Sequence, residues 1–317
     1  MRLLLAPMEG VVDHHVRELY SALGGYDICV TEFLRVTNHL LPDRSFNRIC
    51  PELSNNSRTA SGIPVRLQLL GSNPQALAEN ALRAVQLGCN AIDLNFGCPA
   101  KSVNNSDGGA LLLKTPERLH NIIKTVRETV PAAIPVTAKI RLGFDDRSLY
   151  MDNAHAAFDA GANELTVHAR SKADGYRPPA YWHYIADIKA ALSIPVIANG
   201  EIWSVDDWHR CRQESDCDDF MLGRGALSCP DLGLQIQAAY REIEYRPLAW
   251  LQVCQHVFNY YETTKDQYPT KFLGNRIKQW LSYLRRQYPQ ADTLFEKIKR
   301  MTTAEQFERE FKQALQS

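Results

Sequence analysis

Ala91-Ile92-Asp93-Leu94-Asn95-Phe96-Gly97-Cys98-Pro99 decides how the rest of this chain is read. The apolar run from Ala91 to Leu94 has the length and composition of a buried strand. Gly97 and Pro99 then force the chain out of it. Cys98 is thereby presented on a short loop at the strand's C-terminal end. In a parallel α/β protein that edge is where chemistry is usually done. Free cysteine is also among the most buried residue types, so a small core hydrophobe is the competing reading.

The same strand-then-loop unit recurs on both sides. Short β-rich runs at 3–6, 27–31, 65–69, 91–95, 135–140, 164–168, 195–198 and 219–222 alternate with helix-period segments at 13–23, 74–87, 116–129, 151–160, 181–192 and 204–213. Pro74 and Pro116 stand where a first helical turn tolerates proline. Gly88 and Gly161 follow helix ends, as left-handed caps do. Eight βα units in about 240 residues predict an α/β fold, a closed (β/α)8 TIM barrel. A doubly wound open sheet is the alternative. The polar stretches 33–64 and 97–115 read as elaborated loops over the active face.

From about 245 the strand-like runs stop. Helical segments near 247–263, 271–287, 291–300 and 304–315 follow, punctuated by Pro247, Pro269 and Pro289. The expected division is a barrel over 1–242 and a small all-helical domain over 243–317. In the second of these helices Leu273, Ile277, Trp280, Leu281 and Leu284 form an apolar stripe. Lys271, Lys278 and Arg285 recur every seven residues beside it, so they are expected to show a row of cations outward.

Composition narrows the class. The 317 residues are 45% hydrophobic and 23% charged, ordinary for a globular protein. No apolar run approaches the roughly 18 residues of a membrane span. The N-terminal Met1–Pro7 stretch is too brief for a secretion signal, so a cytoplasmic protein is expected. The eight cysteines are Cys29, Cys50, Cys89, Cys98, Cys211, Cys217, Cys229 and Cys254. None form a zinc-ribbon or thioredoxin-type pair, and they read as reduced thiols with no metal. Charge is uneven although the net is zero. Residues 1–239 carry 23 basic and 27 acidic side chains, a net of −4, and residues 240–317 carry 13 and 9, a net of +4. A basic surface late in the chain suits a polyanionic partner, or is a solvated helix face.

On a barrel, the residues ending each strand meet at one mouth. Here they are Pro7-Met8-Glu9-Gly10, Glu32, Gln68, Asn95 to Pro99, Lys139 with Arg141, His168 with Arg170, Asn199-Gly200-Glu201 and Gly223-Arg224-Gly225. The glycines after strands seven and eight suit a phosphate, with Arg224 as a fixed cation; ordinary tight turns are the alternative. Lys139 would sit in a partly dry pocket and call for an anion, such as the N1–C2 edge of a reduced flavin. It could instead snorkel to solvent. Gln68 offers a donor and an acceptor to the imide edge of the same ring, or could pair with backbone.

Together Leu5-Ala6-Pro7-Met8-Glu9-Gly10, Val65-Arg66-Leu67-Gln68-Leu69, Asp93 to Pro99, Val167-His168-Ala169-Arg170, Ile197-Ala198-Asn199-Gly200-Glu201 and Met221-Leu222-Gly223-Arg224-Gly225-Ala226 resemble the bacterial tRNA-dihydrouridine synthases. Arg276-Ile277-Lys278-Gln279-Trp280-Leu281-Ser282-Tyr283-Leu284-Arg285 resembles the subfamily acting at position 16 of the D-loop. The resemblance implies an FMN-containing barrel, a helical tRNA-binding domain and NADPH as reductant. It implies that Pro7, Met8, Glu9, Gln68, Lys139, His168, Asn199, Gly200, Glu201, Gly223 and Arg224 hold FMN. Asn95 would bond the target base. Arg35, Arg141, Tyr176, Arg276 and Lys278 would contact tRNA. Hydride would pass from flavin N5 to uracil C6, and Cys98 would give C5 its proton. One departure is Ala100, where many members have Ser.

No protein partner is required, and a monomer suffices. Two rivals stay open: an FMN-dependent dihydroorotate-type dehydrogenase, and a non-catalytic RNA-binding barrel.

Overall fold

The strand runs do close on themselves. The computed structural model describes residues 1–267, 269, 272 and 274–316. Its strands are β1 (Leu3–Leu5), β2 (Ile28–Arg35), β3 (Val65–Leu70), β4 (Ile92–Phe96), β5 (Val136–Arg141), β6 (Leu165–His168), β7 (Val196–Asn199) and β8 (Asp219–Leu222). They pair in parallel, in chain order, as a closed barrel. Leu4 of β1 lies opposite Met221 of β8, which excludes the open doubly wound sheet.

Helices cover the outside because each crossover must return to the same end of the sheet. Their starts are written in the sequence. Asp13 accepts from the Val16 N–H, Asn73 from the Ala76 N–H and Ser204 from the Asp207 N–H. Pro74 and Pro116 occupy first turns, and Gly88 and Gly161 have φ of 103° and 88°. Some elements were not expected. β2 runs on to Arg35 through a register shift between Val30 and Phe33. Short helices also form at Asp43–Ile49 and Arg224–Ser228, and a longer one at Leu232–Tyr240.

The barrel interior is divided. Leu4, Ala6, Ile28, Val30, Ile197 and Met221 form a separate apolar cluster beneath β1, β2, β7 and β8. The facing strands carry buried polar groups instead: Gln68, Asp93, Asn95, Thr137 and Thr166. Arg2 and Arg66 both pair with Glu164, and Arg2 also with Asp219, which ties strand starts together at the closed end.

The helical tail comprises Trp250–Thr264, Asn275–Leu284, Pro289–Ile298 and Ala304–Ala314. One apolar core runs from the barrel helices into it, across the boundary expected at 242/243. Trp280 joins the two parts. Its indole N–H donates to the Leu227 carbonyl at 3.1 Å, and its ring packs on Tyr20 and Tyr260.

The expected outward cation row is corrected at Lys278, while Arg285 stays exposed. Lys278 turns its ammonium onto the Met301 carbonyl at 2.8 Å and over the Phe307 ring. Arg285 pairs with Asp292. Both find local acceptors because the next helices pack close beside them. Lys271 of that row, and Leu273 of the apolar stripe, lie outside the described residues. Among the described residues no helix is long and apolar enough to cross a membrane.

Candidate active site at the barrel mouth

A cavity of about 710 Å³ opens at the C-terminal ends of the strands. That is within the ordinary size range of ligand sites. Every strand end singled out above except Glu32 contributes to its wall, from Pro7, Met8 and Glu9 round to Gly223 and Arg224. Closure of the sheet makes this so: groups far apart in the chain become a ring.

Cys98 stands in this wall, half-buried, whereas the other seven cysteines are buried. Burial raises its thiol above the ordinary value, with nearby Glu9 acting the same way and Arg141 and Arg35 opposing. Its loop is held firmly. The Asn95 carboxamide oxygen accepts from the Gly97 and Cys98 N–H groups at 2.9 and 3.0 Å. The Cys98 carbonyl accepts from the Ala110 N–H and from Asn104.

Lys139 does not snorkel. Its ammonium donates to Asn199 Oδ1 at 3.0 Å, and Asn199 donates in turn to the Met221 carbonyl. Among the described residues no carboxylate lies within ion-pair distance of it. Burial, with a smaller push from Arg141, lowers its pKa to about 8. Burial and the surrounding cations also push His168 well below its ordinary value, so its imidazole is neutral. Gln68 does not pair with backbone through its side chain. Its amide N–H donates to Asp93 and its oxygen accepts from Asn95, both at 2.7 Å.

Gly200 has a φ of +112°, and a Cβ there would lie 2.6 Å from the His168 ring. Glycine is required by conformation and by space. Beside it Glu201 accepts from the fully buried Arg170 at 2.5 Å and lies 3.7 Å from Arg224.

Tyr176 is 51% exposed on the loop after β6. Arg224 lies over its ring at 4.6 Å and over Trp203 at 4.9 Å. Arg286 covers Trp203 at 3.8 Å. Tyr283, from the Asn275–Leu284 helix, completes this lip. Trp203 was missed in the sequence although it follows Glu201 by two residues. Tyr283 was not assigned to the mouth, because its place depends on how the tail docks.

The remaining expected tRNA contacts are scattered. Arg35 is exposed at the end of β2. Arg141 is buried and donates to the Gly97, Ser171 and Gly175 carbonyls, so it braces two loops. Arg276 bonds the Gly10 carbonyl, and with Lys278 it lies outside the cavity wall.

Residues 4–317 match the family model described as dihydrouridine synthase (Dus). The chain belongs to the dihydrouridine synthase family. It is 51% identical over 314 residues to a tRNA-dihydrouridine(16) synthase of Shewanella oneidensis, covering 99% of this chain and 98% of that one. A protein of the same name from Haemophilus influenzae is 47% identical, with 96% and 97% covered. Among solved structures, a 2-naphthoyl-CoA reductase complex matches with a TM-score of 0.58 at 13% identity, over 76% of this chain and 50% of that one. A histamine dehydrogenase from Rhizobium sp. 4-9 gives 0.54 at 14% identity, over 76% and 46%. The chain thus spans about half the length of each of these two structures, and the likeness concerns the barrel fold.

Proposed function

We propose that this chain reduces the 5,6 double bond of the uridine at position 16 of the tRNA D-loop, using bound FMN with NADPH as reductant. One observation carries the reading. A single cavity holds a protonated thiol, Cys98, and a buried cation, Lys139, with no carboxylate beside it among the described residues. The relatives that share about half of this sequence carry position 16 in their names.

The donor set suits FMN. A buried ammonium bonded only to a neutral amide favours an anionic ring edge beside it. Gln68 keeps one N–H and one lone pair for the imide edge. Asn199, Gly200, Glu201, Gly223 and Arg224 would hold the phosphate side, where backbone N–H groups approach closely. Pro7, Met8, Glu9 and His168 complete the wall. When bound, FMN would supply the hydride for C6 of the uracil.

Cys98 supplies the proton for C5. Its raised pKa suits an acid at neutral pH and ill suits a nucleophile. Asn95 has one amide N–H left for a base carbonyl. Tyr176, Trp203 and Tyr283 offer flat surfaces to a base drawn out of the tRNA stack. Arg35, Arg141, Arg276 and Lys278 are the proposed tRNA contacts, positioning the RNA rather than reading its sequence. The division at 242/243 would then separate catalysis from recognition. The chain is taken to work as a monomer in the cytoplasm.

The test maps dihydrouridine by mass spectrometry in tRNA from cells lacking this gene. Position 16 should carry unmodified uridine and regain the modification on complementation. Dihydrouridine persisting there in the deletion strain would overturn the reading.

A further inference from the structure

A chain of side chains crosses the polar half of the barrel and ends at the Cys98 loop. Thr137 Oγ1 donates to Asp93 Oδ1 at 2.6 Å. Gln68 Nε2 donates to Asp93 Oδ2 at 2.7 Å. Asn95 Nδ2 donates to Gln68 Oε1 at 2.7 Å. The Gly97 and Cys98 N–H groups donate to Asn95 Oδ1. Asp93 is 2% exposed and is absent from the cavity wall, so it does not itself meet a ligand.

The chain has a direction. A carboxylate only accepts, whereas an amide has a donor end and an acceptor end. Asp93 therefore fixes the NH2 end of Gln68 toward itself. The Gln68 oxygen then faces Asn95 and fixes the NH2 end of Asn95. That leaves the Asn95 oxygen for the two backbone N–H groups at Cys98. Reversing any member would set oxygen against oxygen, or NH2 against N–H, in a buried site where unpaired groups are costly.

We propose that Asp93 is a positioning residue. It sets the orientation of the Gln68 and Asn95 amides, and through them the placement of Cys98. The inference rests on the function proposed above, since it needs Asn95 and Cys98 to meet one base. It also adds a rule of selection. Both acceptor directions of Asn95 Oδ1 are committed, so Asn95 can offer a ligand only an N–H. The base edge facing it must carry an acceptor, as a uracil carbonyl does, and not an amino group.

The test compares variants of the full chain by FMN content, kcat and KM for tRNA. Asp93→Leu keeps the volume and removes the acceptor. Its kcat per bound FMN should fall by about tenfold or more with KM near wild type, because reacting groups displaced by about 1 Å lose that much or more, and its FMN content should fall as Gln68 loses its orientation. Asp93→Asn can still accept from Gln68 while donating to Thr137, so it should stay within about threefold of wild type. In Asp93→Asn/Thr137→Val the asparagine loses the hydroxyl that orients it, and kcat should fall again. That double variant carries the test if Asp93→Leu does not fold. Wild-type kcat in the double variant, or an Asp93→Asn loss as deep as that of Asp93→Leu, overturns the proposal. Wild-type protein that forms no dihydrouridine would instead overturn the function on which it rests.

Discussion

Cys98 is held where its proton is retained. Burial lifts the thiol above the ordinary value of 9.0, so the neutral acid persists through neutral pH and is lost only as pH rises past that value. The chemical step measured in single turnover should therefore hold through neutral pH and decline in the alkaline range, where Lys139, with its pKa of about 8, also loses its charge. Cys98→Ala should keep its FMN and its tRNA affinity but turn over about 10²-fold more slowly or worse. Dihydrouridine formation at the wild-type rate would remove the acid role. At this scale the sequence was half legible. Cys98, Lys139 and His168 lie at or within two residues of strand ends, and a strand end in a barrel faces the mouth. Asp93 and Thr137 lie inside strand runs, where spacing gives no reason to suspect a hydrogen-bonded relay. Their importance appears only once neighbouring strands set Asp93 beside both Gln68 and Thr137.

The loop after β7 shows how an element shapes the site. Gly200 needs its left-handed backbone, and any side chain there strikes His168. Gly200→Ala should cost about 1–3 kcal/mol in strain, read as a shift of the urea midpoint, and should lower FMN content in step. Full FMN content with an unchanged midpoint would show that the loop tolerates the methyl group. Several elements bounded by Pro, Gly or a capping side chain fell where the sequence put them, as in Pro116–Thr129. Asp43–Ile49 was missed although Pro42 and Pro51 flank it, because it buries only Phe46, too little for an amphipathic period. β2 extends past Glu32, whose charge hid the continuation.

Across the whole molecule, barrel and tail share one buried apolar core. The sequence announced two domains because the strand pattern stops near residue 245. Packing between distant helices cannot be read from either pattern, and it joins them through Trp280. Trp280→Ala should cost about 3–5 kcal/mol, since it empties a large buried site and strands the Leu227 carbonyl. Wild type should unfold in a single transition in urea followed by circular dichroism. Two separated transitions in wild type would show that the tail is independent. Of the row of cations expected on the tail, Lys278 is turned onto the Met301 carbonyl, whereas Arg285 stays exposed and pairs with Asp292.

Seven sulfhydryls are sealed away and one looks into the opening. The molecule is thus already indexed for labelling. A maleimide offered to native protein has a single address, and a bulky tag fixed there turns the entrance into a place where occupancy can be counted, one adduct per empty chain.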